Sequence, residues 1–364
     1  MIRLLIVDDS PLMRRLLGGV FAAEGDFEVA FARNGVEALE QLAAFEPNVI
    51  TLDVHMPEMD GLTCLDRIMI ERPCPVVMVS SLTEAGAGVT LEAMDLGAVD
   101  FIAKPEGAMS LEIDMLAPRL VEKVRAASEA RLRRSLRLTD RVRMRSGLGA
   151  RPRTASQKAA PAARRRLVET ASTDGVVLVG TSTGGPPALD ALLSRLPSSF
   201  PWPVLVAQHM PASFTGPLSR RLDKLCALTV TEVTHPMPLA PGSVYIGRGD
   251  ADIILGMRST GLVVLPAPSL PEHRWHPSVD RMVESAMQHF APDKLVGVLM
   301  TGMGNDGADT MSRLRAKGGR TIAEAEESAV VWGMPGELVR KGGAEFVVPL
   351  DQIADRVMDV VGSP

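Results

Sequence analysis

Twice along this chain, short and nearly unbroken apolar runs alternate with stretches of helical periodicity, and that pattern admits few folds. In the first set, residues 4–7, 27–30, 49–52, 76–79 and 99–102 are strand candidates, with helical stretches between them, notably 35–44 and 61–71. A strand without polar alternation is buried on both faces, as in parallel sheets covered by helices. After the first strand, Ser10 can cap a helix with Pro11 at its first position. Leu12, Leu16 and Val20 then recur at helical spacing, and Gly25 can close the end. The second set begins at Gly175. Residues 176–179, 204–207 and 295–300 read as interior parallel strands. Between the last two of these, residues 244–246, 253–255 and 262–265 are separated by Gly-containing turns and predict an antiparallel hairpin region attached to the sheet.

The two sets are separated by a stretch of different character. Residues 119–138 predict a charged helix, and 145–166 combine Arg, Ala, Pro, Ser and Gly without apolar periodicity, as a flexible linker does. The expected division is 1–122, 123–171 and 172–364, within the two or three domains that 364 residues suggest. Residues 131–166 hold thirteen of the 39 Lys and Arg against one of the 44 acidic residues, Asp140. The remainder is therefore strongly acidic, which argues against a specific nucleic-acid binder. The basic segment itself could attract an anionic partner. The three cysteines form no CxxC pair or metal spacing, as suits a reducing cytosol. The first apolar run breaks at Asp8 and Asp9, too soon for a signal peptide, and no stretch is long enough to cross a bilayer. A cytoplasmic protein without membrane insertion is expected.

In the first set, Asp8 and Asp9 follow the first strand and Asp53 follows the third. Loops at the carboxyl ends of parallel strands converge on one crevice. Three carboxylates there repel one another unless a hard divalent cation sits among them, and Mg²⁺ fits such a site. Ser80 ends the fourth strand and Lys104 follows the fifth. A hydroxyl and an ammonium beside the acids can bind the oxygens of a phosphoryl group. Solvated loop acids would explain one such pair, but not five positions around one crevice.

These residues resemble those of a two-component receiver domain, a flavodoxin-like fold with a five-stranded parallel sheet. The resemblance implies that Asp53 is the phosphoacceptor. It also implies that Asp8 and Asp9 hold Mg²⁺ with Asp53 and the backbone carbonyl of His55. Ser80 and Phe101 would be the switch pair, Phe101 turning inward on phosphorylation. Lys104 would contact the phosphate, and Lys104–Pro105 would be a cis bond. His55 stands where related methylesterases often carry an acid, so its side chain is expected to alter hydrolysis of the phosphoryl group.

In the second set, residues 180–187 read Gly-Thr-Ser-Thr-Gly-Gly-Pro-Pro and lie between a strand and a helix expected at about 188–196. Ser182 would then sit on a tight turn beside helix N-terminal amides. Taken alone, the motif equally suits a phosphate-binding turn. Two further sites favour catalysis: Gln208-His209-Met210-Pro211 follows the next strand, and residues 301–307, Thr-Gly-Met-Gly-Asn-Asp-Gly, follow the strand ending at Met300. Ser182, His209 and Asp306 thus share the carboxyl ends of predicted strands. A serine needs a base such as His209 to take its proton, and an acid such as Asp306 to orient the imidazolium. Amides near Ser182, at Thr183 and in the Met303 loop, can hold an oxyanion. The order Ser, His, Asp differs from that of α/β-hydrolases, where the acid precedes the histidine. A different hydrolase on a doubly wound sheet is expected.

Residues 180–185, 208–211, 277–280, 299–307 and 330–335 resemble the catalytic domain of the chemotaxis protein-glutamate methylesterases, the CheB family. A receiver fused to this domain is that family's architecture. The resemblance implies phosphorylation-activated hydrolysis of glutamyl methyl esters on methyl-accepting chemoreceptors, and deamidation of receptor Gln. A chemotaxis histidine kinase would be the phosphodonor, and the hydrolase would need no cofactor. Glu324 departs from the family's usual Gln and adds negative charge to the domain. Two other readings are a hydrolase serving a non-chemotaxis pathway and a DNA-binding response regulator. The second is disfavoured by the acidic output half, which lacks a helix-turn-helix pattern.

Overall fold

The structure, a computed structural model, describes the backbone of residues 1–80, 83–104, 109–132, 173–259 and 261–362 and, except at 84, 85 and 109–116, their side chains. The expected linker and the Lys104–Pro105 bond lie outside the described residues. The chain divides into two compact units, Met1–Pro152 and Arg153–Pro364.

In the first unit, β1 (Ile2–Val7), β2 (Phe27–Ala32), β3 (Val49–Asp53), β4 (Val76–Ser80) and β5 (Asp100–Ala103) alternate with five helices. These are α1 (Pro11–Glu24), α2 (Gly35–Ala44), α3 (Gly61–Glu71), α4 (Glu84–Leu96) and α5 (Met109–Ser128). The five strands pair in parallel in the order β2-β1-β3-β4-β5. Strands β3 and β4 are buried at every residue, which is why no polar alternation marks them. Ser10 caps α1 by accepting the Met13 N–H, and Gly25 ends it in the left-handed conformation (φ 75°), as its sequence predicts. The order reverses between β1 and β3, so the loops carrying Asp8, Asp9 and Asp53 open onto one crevice.

The helix expected at 119–138 is corrected: α5 starts at Met109, and its regular part ends at Ser128. It also crosses position 122 and stays tied to the first unit. Lys123 Nζ reaches Asp100 Oδ1 (2.8 Å), and Arg125 binds both carboxylate oxygens of Asp26. Those two ion pairs, on the far side of the expected boundary, hold the helix to the sheet it covers.

The second unit contains β6 (Val176–Thr181), α6 (Gly185–Leu193), β7 (Val204–Gln208), α7 (Ala212–Leu225), β8 (Thr229–Val233), β9 (Met237–Pro238), β10 (Ser243–Gly247), β11 (Ala251–Arg258) and β12 (Gly261–Pro268). There follow α8 (Val279–Met287), β13 (Leu295–Leu299), α9 (Ala308–Ala316), β14 (Arg320–Glu324), α10 (Met334–Arg340), β15 (Phe346–Val348) and α11 (Leu350–Val361). Seven strands form a parallel sheet in the order β15-β14-β13-β6-β7-β10-β8. A separate three-stranded antiparallel sheet, β11-β12-β9, packs into the core through Ile253, Leu255 and Val264.

Two sequence expectations change here. Residues 244–246 are not part of the hairpin region; they lie in β10, parallel to both β7 and β8. Val244, Tyr245 and Ile246 are all buried, so this short run has two covered faces and belongs inside the main sheet. The helix after Ser182 begins at Gly185 rather than near 188, which brings its first amides within one turn of the serine. From β6 the chain adds β7 on one side, and later β13 on the other, so a second switch point lies at the carboxyl ends of β6 and β13.

Gly61, at the first turn of α3, sits so close to the end of β3 that a Cβ would lie 2.1 Å from the Asp53 carbonyl oxygen. Gly61→Ala is expected to destabilise the first unit by about 1–3 kcal/mol through forced displacement of α3. The check is the denaturant midpoint of that unit's transition in the full chain; an unchanged midpoint would show that α3 moves away freely.

Candidate functional site

At the second switch point, Ser182 follows β6, His209 follows β7 and Asp306 lies in the loop between β13 and α9. Ser182 is buried at 8% exposure, and its backbone is fixed on both sides. Its N–H donates to the Thr301 carbonyl (3.0 Å), while its carbonyl accepts from Gly185 N–H (2.8 Å) and Gln208 Nε2 (3.0 Å). His209 is anchored through its backbone N–H to the Thr181 carbonyl (3.1 Å). Its Nε2 lies 2.9 Å from Asp306 Oδ2.

Asp306 is the most heavily solvated group of the site, by protein rather than water. Oδ1 accepts from Ser278 Oγ (3.1 Å) and the Asp280 N–H (3.0 Å); Oδ2 accepts from the Val279 N–H (2.7 Å) and from His209. Val279 and Asp280 open α8, so the carboxylate also sits at a helix N-terminus, where negative charge is favoured. Burial pushes the Asp306 carboxyl up, but the hydrogen bond and charge of His209 and the two amides outweigh it, and the net pKa lies below the ordinary value. Burial raises neighbouring Asp280, with the charge of Asp306 adding to the rise against the Thr310 hydrogen bonds. A carboxylate that only accepts requires the proton of neutral His209 to be on Nε2. Nδ1 then carries the lone pair, and it is buried with no hydrogen-bond partner. The structure thus joins His209 to Asp306 and leaves the bond from Ser182 Oγ to the imidazole open; such contacts often close only with substrate in place.

Several residues here escaped the sequence reading. The Trp275 ring lies parallel to the His209 imidazole (centroids 5.8 Å, planes 6° apart), and Arg274 lies over the indole at 5.3 Å. Gly304, at φ 80°, leaves room for that indole, which a Cβ would approach to 2.6 Å. Asp252, fully buried, accepts from Ser278 N–H (2.7 Å) and pairs with His276 and Arg281, so it braces the segment that serves Asp306. The 277–280 stretch carried a family likeness but no role; its role in the structure is to supply donors to Asp306. Thr183 and Met303 are both buried beside the serine's turn. The Thr183 carbonyl accepts from Thr301 Oγ1 (2.9 Å).

In the first unit, one carboxyl oxygen each from Asp8, Asp9 and Asp53 lie within 4.8 Å of one another. Lys104 Nζ bridges Asp53 Oδ2 (2.8 Å) and Asp8 Oδ2 (3.0 Å). The Asp8 contact is an ion pair without hydrogen-bond geometry, so this buried oxygen still lacks a donor. Burial raises the Asp53 pKa and the Asp8 charge adds to the rise, while Lys104 and the His55 backbone N–H oppose it. An oxygen-only set of three acids, one with a buried oxygen lacking a donor, fits a hard divalent cation. The His55 side chain is exposed. Ser80 is buried, and its carbonyl accepts the Lys104 N–H (2.7 Å). Phe101 is buried at 4% exposure, with Lys123 over its ring.

The first unit and its acidic crevice define a response-regulator receiver. The second defines a parallel α/β hydrolase-type domain with Ser, His and Asp at its switch point. Residues 4–114 match the response regulator receiver domain family, and residues 177–357 match the CheB methylesterase family. The chain is 58% identical over 360 residues (99% of this chain, 98% of the relative) to "Protein-glutamate methylesterase/protein-glutamine glutaminase 2" of Rhodopseudomonas palustris. It is 55% identical over 357 residues (98% and 95%) to number 3 of that name from Rhodospirillum rubrum. The crystal structure of the Thermotoga maritima CheB methylesterase catalytic domain covers 52% of this chain and 100% of its own length, with 35% identity and a TM-score of 0.50. This chain belongs to the CheB methylesterase family and carries that family's receiver domain.

Because Asp306 has a depressed pKa in the folded state, its ionisation stabilises the fold. That contribution is complete above the ordinary value of 3.8 and is lost as pH falls through the lower, folded value. Urea unfolding across acid pH should therefore show the parent's advantage over Asp306→Asn shrinking on acidification. An advantage that grew as pH fell would contradict the assigned ionisation.

Proposed function

We propose that this protein removes methyl groups from glutamyl methyl esters on methyl-accepting chemoreceptors, with Ser182 as nucleophile, His209 as general base and Asp306 as the group that orients it. The observation that carries this reading is the 2.9 Å bond between His209 Nε2 and Asp306, which leaves Nδ1 as the base at the same switch point as Ser182. Ser182 Oγ attacks the ester carbonyl carbon as its proton passes to Nδ1, and the charge that develops on the carbonyl oxygen is met by the Thr183 and Met303 amides. Collapse of the tetrahedral intermediate returns the proton to the leaving oxygen and releases methanol. Water, deprotonated by His209, then attacks the acyl-serine and frees a glutamate carboxylate and the serine. The same sequence on a glutamine side chain would release ammonia.

The receiver is read as the control element, with residues 1–122 and the remainder of α5 assigned to it, the rest of 123–171 to the connection and 172–364 to the hydrolase. Asp53 is the phosphoacceptor, phosphorylated from a chemotaxis histidine kinase. Asp8, Asp9, Asp53 and the His55 carbonyl would hold Mg²⁺, which when bound neutralises the charge that phosphorylation concentrates here. Lys104 would contact the phosphoryl oxygens, and Ser80 would follow them, with Phe101 as its switch partner. No helix among the described residues is long and apolar enough to cross a membrane, and the proposed place of action is the cytoplasm.

Ser182→Ala is expected to reduce methanol release from methylated receptor by about 10⁴-fold or more, and His209→Ala should add little to that loss, because residues acting as one unit are not additive. More than a trace of activity in folded Ser182→Ala would remove the nucleophile assignment. For control, beryllofluoride with Mg²⁺ should activate the full-length protein and leave Asp53→Ala unchanged. Equal activation of both would detach the phosphoacceptor from regulation.

A further inference from the structure

The charge that Glu324 adds is not on the surface. Its side chain is fully buried, at 0% exposure, at the carboxyl end of β14, and none of the steps above uses it. The last backbone pair between β13 and β14 is Leu299 with Ala323. One step further, the Thr301 N–H is taken by Glu324 Oε2 at 2.8 Å. The carboxylate therefore extends the ladder by one rung, where a buried N–H would otherwise lack an acceptor.

Thr301 passes that constraint to the nucleophile. Its carbonyl accepts the Ser182 N–H (3.0 Å), its Oγ1 donates to the Thr183 carbonyl (2.9 Å), and the same Oγ1 accepts the Val331 N–H (3.0 Å). The other end of Glu324 is fixed as well. Oε1 accepts from Ser328 Oγ (2.8 Å), which accepts the N–H of Leu350, first residue of α11 (2.9 Å). The Glu324 carbonyl takes Trp332 Nε1–H (2.8 Å), in the segment whose Val331 carbonyl accepts the Gly302 N–H (3.0 Å). One residue thus clamps the two loops that border Ser182.

We infer that Glu324 is a positioning residue for ester hydrolysis: through Thr301 it fixes Ser182 and Thr183 in the geometry that the attack on the carbonyl requires. The inference rests on the proposed roles of Ser182 and Thr183. What it requires of position 324 is an acceptor for the Thr301 N–H, so a glutamine can do the work. Its amide oxygen can face Thr301 while its NH₂ donates to Ser328 Oγ, whose own proton can go to the Ala325 carbonyl, already 3.2 Å away.

The test is steady-state methanol release from methylated receptor by full-length protein activated with beryllofluoride. Glu324→Gln is expected to keep kcat within about threefold of the parent, whereas Glu324→Leu should lower kcat by about 10- to 100-fold with KM unchanged, the loss typical of a small misplacement of reacting groups. Should the Leu variant fail to fold, as judged by circular dichroism, Ser328→Ala removes only the second anchor and is expected to lower kcat by about three- to tenfold, again at constant KM. A folded Leu or Ser328→Ala variant with parental kcat would overturn the inference. So would Glu324→Gln falling as far as Leu, since that would assign the effect to charge. Failure of the underlying reading looks different: the parent itself would release no methanol.

Discussion

Everything at the hydrolase site leans on the buried carboxylate of Asp306. It is the one charge there held in place by four donors, three of which come from the start of α8. Leaving a buried charge without a partner costs about 3–5 kcal/mol, so this arrangement is strongly specified once the surrounding elements pack. The carboxylate in turn selects the imidazole tautomer, and in the proposed reaction the tautomer decides which nitrogen takes a proton from serine. The Trp275 ring lies parallel to the same imidazole.

The two units solve the same problem in opposite ways. Both place carboxylates at the switch point of a parallel sheet, where strand ends bring distant loops together. In the hydrolase the acid accepts from His209, Ser278 and two amides, and the hydrogen bond and charge of His209 bring its pKa below the ordinary value against the effect of burial. In the receiver, three acids crowd around a single lysine, Asp53 is pushed upward by burial, and one oxygen of Asp8 keeps no hydrogen bond. Such a crevice suits added positive charge. Glu324 is another buried acid, its two oxygens accepting from the Thr301 N–H and from Ser328 Oγ.

How much of this could be read in the sequence depends on whether a residue's role is carried by its own neighbours in the chain. The caps of α1, the limits of α2 and α3, and the strands flanking Asp8, Asp53 and Ser182 are local features, and they were legible. Asp8, Asp9, Asp53 and Lys104 meet in one crevice as the strand ends implied. What sequence could not supply was partner identity at long range. Residues 244–246 look like a short hairpin strand until β7 and β8 are seen on either side of them. Glu324 reads as one more acid until Thr301 is found opposite it. Trp275 stands in a loop with no periodicity and Asp252 near the start of β11, and only tertiary packing reveals that one faces His209 while the other braces the donors of Asp306.

The central claim is that Asp306 sets the proton on Nε2 of His209 and leaves Nδ1 as the base. Long-range ¹H–¹⁵N correlation of the histidine rings in ¹⁵N-labelled protein, with His209→Gln to identify the signal among six histidines, reports the tautomer directly. At a pH where the ring is neutral, the account predicts a protonated Nε2 and a bare Nδ1. A proton found on Nδ1, or shared between the two nitrogens as in a free imidazole, would contradict it.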